Sequence, residues 1–427
     1  MIPQETHHYE TPRMSKLAVF RHKTPSYISD LVMFLGGALV AFLLVWSLWC
    51  FTTPPSSKFS TTLPSQARTQ PDPTTFYDDP EMAYTLQAPV QNWDQKRKQW
   101  LARNPEFSGQ DRVVMVTGSQ PGPCNNPVGD HILLRLFKNK VDYCRIHGYD
   151  IFYNNVLLDP KMFTFWAKYP VVKAAMLAHP EAEWIWWVDS DAAITDMDFS
   201  LPLEKYKVHN LIIHGWPKLV FEKKSWTGLN AGVFLIRNCQ WSMDLLEKWV
   251  EFGPISPNYE KWGKIQKSAF KDKLYPDADD QTGIAYLMVK EGQKWKDKIY
   301  LEEEYYFEGY WVDIVDNLEK IAAHYKEVEK KERRLRRRHA EKVGEDYRAL
   351  LEYNFEKEKE MKRPFITHFT GCEPCSGKHN EMYSRESCLE GMNKALNFAD
   401  NQVLRNFGYF RPNLSDSSLV QPLHFDS

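Results

Sequence analysis

Five bulky apolar residues in a row, Trp184-Ile185-Trp186-Trp187-Val188, run directly into Asp189-Ser190-Asp191. An unbroken apolar run of this length predicts a strand buried on both faces, as in a parallel sheet covered by helices. Open α/β sheets place their ligands beyond the C-terminal ends of such strands, which is where the two carboxylates stand. Alternation along a strand points Asp189 and Asp191 one way and Ser190 the other. Two hard oxygen donors on one side suit Mn²⁺, or Mg²⁺, against a diphosphate. A capped turn would use the same residue types; the buried aromatic strand behind them favours the metal reading.

The flanking sequence supplies a sheet for that strand. Val113 to Ser119 reads as a buried strand ending in a glycine turn, followed by a helix over Asp130 to His147. A strand at Asp150 to Tyr153 and a helix near Tyr169 to Ala178 come next, and Leu211 to His214 and Ala231 to Ile236 are further strands. Strands and helices alternating at this spacing predict an α/β class with a mostly parallel, Rossmann-like sheet. Asn317 to Glu360 differs, with apolar residues at helical spacing amid dense charge. It reads as one long solvated helix rather than an anion patch, because acidic residues flank Arg333, Arg334, Arg336, Arg337 and Arg338.

Leu31 to Phe51 carries no charge, and about 21 helical residues span roughly 30 Å of hydrocarbon. Arg13, Lys16, Arg21 and Lys23 precede it, against Lys58 and Arg68 after it. The positive-inside rule then predicts a single-pass type II protein. Residues 1–30 form a cytosolic tail, 31–51 the anchor, 52–92 a Pro/Ser/Thr-rich stem and 93–427 a lumenal domain. In an oxidising lumen the six cysteines outside the span, Cys124, Cys144, Cys239, Cys372, Cys375 and Cys388, allow up to three disulfides. Asn413-Leu414-Ser415 is an N-glycosylation sequon. A formal net charge of −2 gives no basis for nucleic-acid binding.

Four more segments are candidates for chemistry. Thr117-Gly118-Ser119-Gln120 ends a strand where a nucleotide would sit. Trp226 to Gly232 places small and polar residues before a strand, letting backbone approach a sugar closely. Asp277-Ala278-Asp279-Asp280-Gln281 has more carboxylates than a helix cap requires. Finally, His368 stands alone in the apolar run Phe365 to Phe369, where it is either a core residue or the third ligand of the carboxylate pair.

These motifs together resemble the plant cell-wall glycosyltransferases that comprise galactomannan galactosyltransferases and xyloglucan xylosyltransferases. The resemblance runs from about Thr74 to the C-terminus and includes VTGSQP, NPVGDH, FWAKYP, WWVDSDA, HGW, WTGLNAGVFLIRNCQW, DDQ, YYFEGYW, THFTGC and ALNFADNQ. Thr74 to Glu81 and Arg336 to Val343 look most similar to the galactomannan branch. Glu373 stands where the xylosyltransferases have Lys, so a phosphate contact there would pass to Lys168 or Lys378.

The resemblance implies a retaining, Mn²⁺-dependent lumenal domain of the GT-A type in the Golgi membrane. Asp189, Asp191 and His368 would hold the metal. Thr117, Gly118, Ser119, Lys168, Ser190, Asn230, Ala231, Gly232 and Gly371 would line the nucleotide-sugar site. Asp279 and Asp280 would bind sugar hydroxyls, and Gln281 would lie near the anomeric carbon. Tyr306, Tyr310 and Trp311 would stack acceptor sugars. The expected reaction is transfer of galactose from UDP-galactose in α-1,6 linkage to β-1,4-mannan, the alternative being xylose from UDP-xylose to β-1,4-glucan. Gln281 is a poor nucleophile, so same-face substitution is preferred to a covalent intermediate. A weakly active scaffold subunit of a polysaccharide synthase complex is the rival from another class, a metal-dependent hydrolase a more remote one. A glycan synthase or a homologous transferase would be the protein partner.

Overall fold

The computed structural model describes residues 35–44, 76, 79, 82–108, 112–336, 344–356 and 359–424. It comprises one unit over Met1–Pro73 and another over Thr74–Ser427. In the first, residues 35–44 are helical; the ends of the apolar run lie outside the described residues. Among those described, no helix is long and apolar enough to cross a membrane.

The second unit is built on a six-stranded sheet of order β2-β1-β3-β6-β5-β7. Its strands are β1 (Val113–Gly118), β2 (Asp150–Asn154), β3 (Trp184–Val188), β5 (Leu211–Gly215), β6 (Leu229–Arg237) and β7 (Ile299–Glu302). Five run in one direction and β6 opposes both of its neighbours, so the sheet is mostly parallel, as the alternation of elements predicts. β3 is buried on both faces. Ile185 and Trp187 pack with Tyr169 and Trp249, whereas Trp184, Trp186 and Val188 pack with Tyr143, Phe307 and Phe365. Two short strands, β4 (Ala192–Ile194) and β8 (Ile366–His368), form a separate antiparallel pair.

Its helices of eleven residues or more are α1 (Trp93–Arg103), α2 (Pro127–His147), α3 (Lys168–Ala178), α4 (Gln240–Val250), α5 (Tyr259–Ala269), α6 (Asp280–Lys290), α7 (Leu318–Lys331), α8 (Glu345–Phe355) and α9 (Arg385–Leu404). Local signals set the ends of α2. The Asn126 side chain accepts from Gly129 N, Pro127 opens the first turn, and Gly148 ends the helix at φ 71°.

Two expectations need correction. The charged segment after Asn317 is not one helix. α7 ends at Lys331, where Arg336 donates to the carbonyls of Glu329 and Lys330 and Arg334 grips the Glu332 carboxylate. Arg336 thus satisfies carbonyls that a continuing helix would have bonded; Arg337 and Arg338 lie outside the described residues. The stem boundary at 92 is also too late. Leu86 and Val90 are buried, and Lys173 Nζ donates to the carbonyls of Thr85 and Ala88, so this segment packs as part of the domain.

Candidate active site

The β4–β8 pair assembles the site. Its register sets Ala192 opposite His368, so the turn after β3 and the end of β8 meet. Asp189, Asp191 and His368 each offer a ligand atom, and these atoms lie within 4.8 Å of one another. His368 Nε2 is 3.2 Å from Asp191 Oδ1 and 3.9 Å from Asp189 Oδ2. Asp189 is fixed further by Trp187 Nε1, which donates to its Oδ1 at 2.6 Å, and by its own N–H on Gly232 O. Gly232 is needed for the approach, since a β-carbon there would come within 2.3 Å of His368 Cε1.

The electrostatics match a cation site. Burial would lower the His368 pKa, but Asp191 and Glu308 outweigh it and push it up to about 10. Burial opposes ionisation of Asp191, yet His368 holds its carboxyl below the usual range. Beneath the turn, fully buried Lys140 donates to Ser190 O at 3.2 Å and Ala192 O at 2.7 Å. Burial lowers its pKa to about 8 against the pull of Asp191 and Asp189. Two carboxylate oxygens and one imidazole nitrogen fit a hard divalent cation, and the nitrogen favours Mn²⁺ over Mg²⁺. Loading such a cation requires the imidazole to give up its proton.

Lys168 joins this triad to the acidic cluster. Its buried ammonium donates to Ala231 O at 2.9 Å and lies 3.0 Å from Asp280 Oδ2 and 3.5 Å from Asp189 Oδ1. The expectation that Lys168 contacts phosphate is therefore corrected: its three donors already face protein oxygens. Asp280 accepts from Tyr169 Oη at 3.1 Å and from Gln281 N at 2.8 Å, and burial lifts its pKa despite Lys168. Asp279 is also corrected as a sugar ligand. It caps α6 by accepting from Thr282 N at 2.6 Å and Thr282 Oγ1 at 2.8 Å, and it pairs with Lys273. Gln281 is half-buried, with Nε2 donating to Trp226 O at 2.8 Å.

Asn230 and Gly232 form a small clasp, Asn230 Oδ1 accepting from Gly232 N at 2.7 Å. Thr117, Gly118 and Ser119 end β1, two places along the sheet from β6; Thr117 is fully buried and Ser119 Oγ accepts from Tyr153 Oη at 2.8 Å. Gly371, at φ 84°, turns the chain just after His368. Of the aromatic platform, Tyr306 is half-buried with its ring 5.1 Å from His214, and the Tyr310 hydroxyl bonds that of Tyr383. Trp311 is corrected: at 5 % exposure it packs on Phe369 as a core residue and offers no face to a sugar.

The loop beyond β8 is pinned by disulfides Cys124–Cys375 and Cys372–Cys388, while Cys144 and Cys239 are thiols. Glu373 and Lys378 are exposed there. Asn413 is exposed at the edge of a cavity of about 470 Å³ whose lining includes Tyr325, Phe398, Arg405 and Arg411, and none of the triad.

Residues 109–379 match the model of the galactosyl transferase GMA12/MNN10 family. The chain belongs to that family. Galactomannan galactosyltransferase 1 of Cyamopsis tetragonoloba is 55% identical over 95% of this chain and 98% of its own length. Glycosyltransferase 6 of Arabidopsis thaliana is 53% identical over 97% and 99%. "Probable xyloglucan 6-xylosyltransferase 3" of Arabidopsis thaliana is 44% identical over 81% and 71%. Among solved structures, a glycosyltransferase involved in glycosylation of the major capsid of PBCV-1 aligns with 66% of this chain and 98% of its own, at 11% identity and a TM-score of 0.36. A score that low carries no weight.

In this GMA12/MNN10-family chain, several residues around the triad escape a motif-based reading. Lys140 was visible as a cation on the buried stripe of α2, at helical spacing from Ile132, Leu136 and Tyr143. Glu308 lay hidden in a run read as a stacking platform. Tyr169 stood within FWAKYP, but nothing in that motif marked its hydroxyl as a partner of Asp280.

Proposed function

We propose that this chain is a retaining glycosyltransferase that moves galactose from UDP-galactose onto O6 of β-1,4-mannan. The observation that carries the reading is the junction made by Lys168. It couples Asp189 of the triad to Asp280 of the acidic cluster, in a chain 55% identical to a galactomannan galactosyltransferase over nearly its whole length. Asp189, Asp191 and His368 would hold Mn²⁺, which when bound neutralises diphosphate charge and eases departure of UDP.

The chain's own residues do the remaining work. Asn230 and Gly232 present a tight backbone edge to the donor sugar. Asp280 has both carboxylate oxygens engaged, so it orients rather than attacks. With the carboxylates of Asp279 and Asp280 both engaged, the acceptor hydroxyl attacks on the face that UDP leaves. Its proton passes to the departing phosphate oxygen, and configuration is retained. Half-exposed Tyr306 and Tyr310 offer rings for acceptor pyranose faces. A Golgi location with the domain lumenal is part of the same proposal, and protease protection of sealed vesicles checks it.

Xylosyl transfer to β-1,4-glucan is the second reading, favoured by the 44% identity to the xylosyltransferase relative. A two-by-two assay of the full chain in detergent with Mn²⁺ separates them, offering UDP-galactose and UDP-xylose each with mannohexaose and cellohexaose. Product only from UDP-galactose and mannohexaose is the expected result. Product from UDP-xylose and cellohexaose transfers the chain to the second reading, and silence in all four arms sinks both.

A further inference from the structure

We propose that Glu308 is a positioning residue for the metal site, holding the His368 ring so that Nε2 faces the cation with its lone pair free. The inference rests on the metal reading above and adds a residue to it. Glu308 is 5 % exposed, and its Oε1 lies 3.2 Å from His368 Nδ1. Nε2, on the other side of the ring, faces Asp191 and Asp189. For Nε2 to donate a lone pair, the ring proton must reside on Nδ1, and a proton there needs an acceptor. Nδ1 is buried and makes no aligned hydrogen bond; Glu308 Oε1 is in ion-pair range, and a small turn of the ring would align the two. Carboxylates behind metal-bound imidazoles fix the tautomer and raise ligand basicity in this way.

Backbone geometry puts Glu308 there. Gly309 follows at φ 68°, and a β-carbon on it would stand 1.7 Å from Ile366 O, so no side chain fits. Its carbonyl accepts from His368 N at 2.7 Å, and Tyr310 pairs with His368 as an added bridge to β8. The segment is thus sewn along the strand that carries the ligand. Thr370 Oγ1 donates to Glu308 Oε1 at 3.3 Å and steadies the carboxylate. A purely structural buried Glu would need none of this registration with one histidine.

The test titrates Mn²⁺ into the full chain, with no donor sugar present, for wild type, Glu308→Gln and Glu308→Ala. Free Mn²⁺ is read by electron paramagnetic resonance, and histidine ligation by nitrogen modulation of the bound signal. The expected result is about tenfold weaker binding for Glu308→Gln, approaching 100-fold for Glu308→Ala. The nitrogen signature should fall while the metal-free melting temperature of Glu308→Gln stays near wild type. Wild-type affinity and modulation in Glu308→Gln overturn the proposal whatever Glu308→Ala does. A wild type that binds no Mn²⁺ removes the metal reading and this inference together.

Discussion

A β-carbon on Gly232 would stand 2.3 Å from Cε1 of His368 and 2.7 Å from Oδ2 of Asp189. His368 is buried at 3 % exposure, so Gly232→Ala must shift either the ring or β6. Overpacking of this kind costs about 1–3 kcal/mol, and a displacement near 1 Å at a reacting centre costs about 10²-fold in rate. Gly232→Ala should therefore fold, melt somewhat lower, and lose roughly two orders of magnitude in transfer. Near-normal activity in a steady-state assay would show that the triad does not need this close approach.

Lys168 lies buried between Asp189 and Asp280. Removing one partner of such a cluster leaves uncompensated buried charge, at a cost of about 3–5 kcal/mol. Lys168→Met should be destabilised by that order in urea unfolding, and Asp280→Asn on the same background should recover part of the loss. Independent sites add to within about 0.5 kcal/mol. Additive losses in the Lys168→Met, Asp280→Asn cycle would mean that the ion pair is not formed in solution.

How much of this was legible beforehand depends on the range of each contact. β3 and its carboxylates could be read because an apolar run and an abrupt polar stop are local signals. The union of Asp189 with His368 could not. It depends on two three-residue strands, β4 and β8, too short and too far apart in the chain for any periodicity to reveal. The family resemblance supplied that ligand set, and the structure supplies its geometry. The junction of Lys168 with Asp280 is likewise a long-range contact, and it turned an expected phosphate ligand into an internal ion pair. Trp311 was misread because composition does not distinguish an aromatic ring facing sugar from one facing the core.

Cys124–Cys375 closes a sequence separation of 251 residues and ties the start of α2 to the loop beyond β8, whereas Cys372–Cys388 spans 16. Chain-entropy arguments assign about 5 kcal/mol to very long loops and about 3 kcal/mol to a loop near 15 residues. The double variant Cys124→Ala/Cys375→Ala should lower the melting temperature more than Cys372→Ala/Cys388→Ala, by calorimetry without reductant. The reverse order would show that local packing around Cys372 and Cys388, both buried, outweighs loop closure.

Asp196 and Asp198 share one guanidinium, Arg363 Nη1, which lies 2.9 Å from Asp198 Oδ2 and 3.9 Å from Asp196 Oδ1. Tyr347 Oη donates to Asp198 Oδ2 at 3.2 Å, and the Arg363 guanidinium stacks 3.8 Å over the Tyr325 ring. Burial pushes Asp196 up to about 6; Arg363 pulls it down and the Asp198 charge pushes it up again. The sign of the linkage follows. Between about pH 4 and pH 6 the folded protein keeps a proton on Asp196 that the unfolded chain has released, so the native state binds more protons. Stability contributed by this group is full below the unfolded value and is lost as pH rises through 6, at about 1.4 kcal/mol for each tenfold difference in proton affinity between the folded and unfolded chain. Asp196→Asn abolishes the titration. Its stability relative to wild type should rise by about 2–3 kcal/mol from pH 4 to pH 7 in urea melts run with chelator. A constant difference across that window would mean that Asp196 is ionised throughout and that Arg363 is charge-balanced by both carboxylates.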